Sequence, residues 1–75
     1  MRVMRYTAIF EHADQSWGAC VPDLPGLAVV GDSKEEVATL LEEAIQLHLE
    51  ALLEAGYEIP EPHSQAAEIE VPKVA

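Results

Sequence analysis

The chain has 75 residues, the length of one domain spanning 1–75, and 49% of them are hydrophobic, too many for a disordered acidic tail. Four Lys and Arg against fourteen Asp and Glu give a net charge of −10, which opposes direct binding to nucleic acid or to an anionic membrane. No stretch longer than 8 residues lacks a charged side chain, and the first residues have no apolar run of signal-peptide length, so a cytoplasmic protein is expected.

Residues 4–11 predict a first strand, with Met4, Tyr6, Ala8 and Phe10 alternating onto one face and Arg5, Thr7, Ile9 and Glu11 onto the other. Residues 12–16 form a short polar connection, and 17–21 a second strand stopped by Pro22. Pro25-Gly26 is a type II turn signal: proline presets φ at the second position and glycine supplies positive φ at the third. A short apolar strand comes next at 27–30, which makes an antiparallel meander. Ser33 and Glu36 have the spacing of a capping box, and Asp32 just before them serves the turn into a helix over 34–55. Val37, Leu41, Ala44, Ile45, Leu49 and Leu52 make its buried stripe, widened by Leu40, Leu47 and Ala51. Gly56 is placed to end it in a left-handed conformation. After the proline-rich return at 57–62, residues 66–71 alternate again and predict a last strand. The expected fold is an α+β two-layer sandwich of order β-β-β-α-β, with one long helix on an antiparallel meander.

A domain this small has little core, and the single Cys20 permits no internal disulfide. The helix outruns a meander of short strands, so its far end needs another surface. Trp17, His48, Leu52, Leu53 and Tyr57 are the interface residues expected in at least a homodimer. The three histidines, at 12, 48 and 63, lack the i, i+4 spacing of a helical metal site. Cys20 has no cationic neighbour in sequence to activate it. Asp14, Asp23 and Asp32 all fall at turns, and few cations are available to hold a phosphate. The residues therefore predict no catalytic group, no metal and no cofactor.

Four motifs taken together resemble a known family. They are Val21-Pro22-Asp23-Leu24-Pro25-Gly26, Gly31-Asp32-Ser33-Lys34-Glu35-Glu36, Leu41-Glu42-Glu43-Ala44-Ile45, and Gly56-Tyr57-Glu58-Ile59-Pro60-Glu61-Pro62. In order and spacing this set is similar to the HicB-like antitoxins over nearly the whole chain, as a short form without the C-terminal DNA-binding segment that many members carry. The resemblance implies a truncated ribonuclease-H-like fold lacking that enzyme's carboxylates, a homodimer or homotetramer, and a small basic RNA-cleaving toxin of the HicA type as partner. Pro22, Asp23, Pro25, Gly26, Asp32 and Ser33, with Glu36 and Gly56, read as the residues that make the fold.

The leading expectation is thus a non-enzymatic protein that occludes a basic toxin by shape and charge. Glu11, Asp14, Asp23, Glu42, Glu43 and Glu50 are its expected contacts. An orphan oligomeric interaction module without a toxin is the alternative, and a residual metal-dependent ribonuclease-H-like hydrolase is the third.

Overall fold

The structure, a computed structural model, describes residues 3–73. Arg2, one of the four cations, and the chain's last two residues lie outside them. Three strands and one helix succeed one another: β1 (Ile9–His12), β2 (Trp17–Cys20), β3 (Ala28–Gly31) and α1 (Lys34–Glu54). The sheet is antiparallel, in the order β1-β2-β3. Phe10, Ala19 and Val29 are aligned across it on one face. That face meets the helix, and Ala19, Val21, Leu24, Val37 and Leu41 form the buried core, flanked by Tyr6, Ala8, Phe10, Trp17, Leu27, Val29, Ile45 and Leu49. Ile9, Cys20 and Ala28, with Glu11, Gly18 and Val30, alternate onto the outer face.

The first strand is shorter than its pattern. Residues 3–8 are not in the ladder, although Tyr6 and Ala8 still pack on the core. The reason is the neighbour. β2 stops at Cys20, which is paired with Ile9, and the chain then turns at Pro22. Residues 4–8 therefore have no strand beside them to complete a ladder.

Two consecutive turns lead from β2 to β3. Leu24 N–H donates to the Val21 carbonyl (3.0 Å) and Leu27 N–H to the Leu24 carbonyl (3.2 Å). Gly26, third in the second turn, has φ 86°, the value a type II turn requires and one that side chains with a Cβ resist. Leu24 sits between the turns with no exposed surface.

The helix is closed at both ends by its own sequence. Ser33, in an extended conformation, accepts at Oγ from the Glu36 N–H (3.1 Å). Glu36 Oε2 reaches back to accept from Asp32 N–H (3.1 Å), one residue earlier than in the standard capping box. Glu35 and Glu36 lie in the first turn, at the positive end of the helix dipole. At the far end Gly56 has φ 84°. Its N–H donates to Leu53 and that of Tyr57 to Leu52, the paired bonds of a Schellman motif.

The expected fourth strand does not form. Residues 57–73 have no regular structure, and every residue from 65 to 73 is exposed. The alternation at 66–71 is strand-like, but β-structure requires a hydrogen-bonded neighbour, and this segment has none within the described chain. The observed order is β-β-β-α. Leu47 also departs from expectation: it is 66% exposed rather than part of the buried stripe. It lies some 120° around the helix from Leu41, beyond the width that a three-stranded sheet covers.

Candidate functional site

The charged surface divides into separate patches. On the helix, Glu36, Glu43, Leu47, Glu50 and Glu54 recur at three, four or seven residues and so share one ridge. The ridge points away from Val37 and Leu41, and all five side chains are exposed. Glu43 and Glu50 are thus brought together, with an exposed apolar residue between them. Glu42 is turned to a different side, where it lines a groove between the helix and residues 3–6. Glu11 projects from the outer sheet face, beside Gly18 and Val30, and Asp14 from the exposed hairpin tip.

Asp23 requires a correction as a contact residue. Its side chain is only 1% exposed and presents no charge to a partner. Instead its carboxylate gathers the C-terminal segment. Oδ2 accepts the backbone N–H of His63 (2.8 Å) and of Ser64 (3.0 Å), while Oδ1 accepts the Ser64 hydroxyl (2.5 Å). His63 Nδ1 lies 3.1 Å from Oδ1, with its ring exposed to solvent. These donors favour the charged carboxylate. The Ser64 hydroxyl and then the Ser64 amide hold its pKa down to about 2 from an ordinary 3.8, against the opposing effect of burial, and His63 adds to the lowering.

Two more bonds tie the same segment to the start of the chain. The Tyr6 hydroxyl donates to the Pro60 carbonyl (2.5 Å) and the Thr7 hydroxyl to that of Ser64 (2.8 Å). Burial, and then the charges of Glu61 and Asp23, push the Tyr6 phenol above its usual pKa. Asp, His and Ser meet here, but not as a nucleophilic triad. The serine hydroxyl is bonded to the carboxylate itself, with no imidazole base between them. The arrangement is a latch. Its partners stand 40 and 41 residues apart, and no local pattern in the sequence announces it.

The interface residues expected from sequence fall into two groups. Leu53 (59% exposed) and Tyr57 (66% exposed) are open at the end of the helix. Trp17, His48 and Leu52 are half-buried. Trp17 stacks on His12 with ring centroids 4.4 Å apart and planes 8° from parallel. The Lys34 ammonium lies over both Phe10 (5.5 Å) and Trp17 (5.9 Å). Among the described residues, no three His, Cys, Asp or Glu side chains come together as metal ligands, and no helix is long and apolar enough to cross a membrane.

Fold and surface define a small acidic α+β chain, a three-stranded meander crossed by one long, self-capped helix. The family model described as "HicB_like antitoxin of bacterial toxin-antitoxin system" matches residues 6–75, and the chain belongs to that family. It is 34% identical over 70 residues to Antitoxin HicB 2 of Photorhabdus laumondii subsp. laumondii, covering 92% of this chain and 50% of that protein. It is 35% identical over 57 residues to a 14.9 kDa protein of Haemophilus phage HP1, covering 76% of this chain and 43% of the phage protein. A UPF0150 protein of Thermotoga maritima is 45% identical over 56 residues, covering 72% of this chain and 71% of the relative. The chain spans about half the length of the first two relatives. No solved structure matches it.

Proposed function

We infer that this chain is the antitoxin part of a toxin-antitoxin pair, and that it binds a small basic RNA-cleaving toxin of the HicA type and covers its catalytic surface. Membership of the family supports the antitoxin role. The acidic helix ridge carries the choice of surface. Glu43, Glu50 and Glu54 surround exposed Leu47, giving an apolar anchor with a charged rim on a chain of net charge −10. Such a ridge steers a cationic partner at long range and seats it through the leucine. Glu11, Asp14 and Glu42 lie off the ridge and contribute to the general field rather than to this contact. Asp23, buried in the latch, is not part of the contact.

The reading includes self-association, supported by the apolar surface left open at Leu53 and Tyr57. It treats residues 1–75 as one domain in a cytoplasmic setting. The truncated ribonuclease-H-like fold that the resemblance implies is part of the same reading, and the meander-plus-helix order supports it.

The test is co-expression with the small basic reading frame beside the gene, read by growth rescue and by pull-down at low and high salt. Rescue with a salt-sensitive complex is expected. Glu43→Lys/Glu50→Lys and Leu47→Ala should each weaken it, whereas Glu11→Lys/Asp14→Lys should leave a complex that still forms. Loss confined to the Glu11/Asp14 variant would move the contact to the sheet face. A neighbour that neither binds nor harms growth would turn the reading to an interaction module without a toxin.

A further inference from the structure

We propose that residues 66–71 of one chain add a strand to the open β1 edge of a second copy, reciprocally, so that two chains complete each other's sheet. Three observations meet in this. The first is an incomplete edge. Residues 3–8 carry strand alternation but stand outside the ladder, because β2 ends opposite Ile9. Among the described residues no strand pairs with β1 on the side away from β2. Between residues 3–6 and the helix runs a groove of about 510 Å³, lined by Val3, Met4, Tyr6, Leu41, Ile45 and Leu49. Leu53 continues the line of Ile45 and Leu49 past its end, at four-residue steps along the helix.

The second observation is an unused strand. Ala67, Ile69 and Val71 alternate with Glu68 and Glu70, and the whole segment from 65 to 73 is exposed, with Ile69 at 79% and Val71 at 76%. The described chain is also elongated. The radius of gyration is 14.8 Å and the long axis 51 Å, whereas a compact chain of this length has a radius of gyration of about 11 Å. The Asp23 latch and Thr7 fix Ser64 at the start of this segment, so residues 65–73 are presented from a defined point.

The third is complementarity. On an added strand, alternate side chains face opposite ways. With Ile69 and Val71 turned into the groove beside Met4 and Tyr6, Glu68 and Glu70 fall on the other face. Arg5 is exposed, lies between Met4 and Tyr6 in sequence and, unlike them, does not line the groove. A chain of net charge −10 repels its own copy. A local cation at the contact is what a self-associating edge needs, and Arg5 supplies it. Strand addition gives backbone hydrogen bonds for affinity and the groove gives side-chain selection. The exchange is two-fold, so each copy both donates and accepts.

The proposal rests on the self-association included in the proposed function and is tested without any toxin. Sedimentation equilibrium of the full chain should show a dimer at about tens of micromolar. Hydrogen exchange should show protection of the amides in 66–71 that rises with protein concentration. Ile69→Asp/Val71→Asp should weaken the dimer about a hundredfold and abolish that protection. Both residues are exposed in the single chain, so the helical circular dichroism should be unchanged. Arg5→Glu should weaken the dimer, and Glu68→Arg/Glu70→Arg should restore it in that background. A dimer that survives Ile69→Asp/Val71→Asp would overturn the strand exchange and leave self-association through another surface. Protection independent of concentration would place the strand on its own chain, and a monomeric wild type would end both readings.

Discussion

Residues 9–56 and residues 57–73 are held by different kinds of chemistry. In the first region each junction is closed by groups a few residues apart: a four-residue connection, two consecutive turns, a serine cap and a Schellman motif. In the second there is no ladder and no helix. The segment is held by one buried carboxylate and two hydroxyls, whose partners lie 40 to 57 residues away. The first region stores its structure locally and is steadied by the core. The second has no core of its own and stays in place only while a few directed bonds persist. A segment held in that way can be redeployed without disturbing the rest.

This contrast gives three expectations. The largest effect should come from the core side of the first region. Leu24→Ala deletes a side chain with no exposed surface and should cost about 3 kcal/mol, read as a lower denaturation midpoint. A change below about 1 kcal/mol would mean that the turns, rather than the leucine between them, organise that end of the sheet.

The next concerns the latch. Asp23→Ala should accelerate hydrogen exchange at His63 and Ser64 and expose 57–73 to protease, while the β1–β2 amides keep their protection. The pH dependence has a definite sign. Folding lowers the Asp23 pKa from 3.8 to about 2, so the folded state binds fewer protons in this range. The latch therefore stabilises fully above about pH 4, and the contribution is lost as pH falls through about 2. The Asp23→Ala variant should lack this part of the acid transition. Equal loosening of both regions would show that they unfold as one unit.

The smallest effect is at the turn. A Cβ at Gly26 meets nothing within 4 Å, so only the backbone opposes it, at φ 86°. Gly26→Ala should cost about 1 kcal/mol in a melting curve, with the fold unchanged.

The same contrast explains what is legible in the sequence. Ser33 with Glu36, Pro25 with Gly26, and the three- and four-residue spacing in the helix each carry their meaning within a few positions, and the helix boundaries fall within one residue of expectation. The two ends of the chain read less well, for one reason. Residues 4–8 and 66–71 have the pattern of strands, but pattern fixes only which face a side chain takes. Whether a strand forms depends on a neighbour that no local window contains. Spacing misplaces Leu47 because helical periodicity alone does not say how wide a sheet lies beneath it. Asp23 reads as surface charge because aspartate at a turn is ordinarily exposed, and its partners are remote in sequence. The acidic ridge is only partly legible: composition announces the charge, while helical geometry separates Glu43 and Glu50 from Glu42.

The stacking of His12 on Trp17, with Lys34 above, has a practical meaning. Trp17 is the chain's single tryptophan, and it touches β1 through His12 and the first residue of the helix through Lys34. Its indole sits where hairpin and helix join. Its emission is therefore an intrinsic optical reporter of that junction. It will follow the docking of the helix on the sheet in real time, and it stays silent about a C-terminal segment held at the other end of β1.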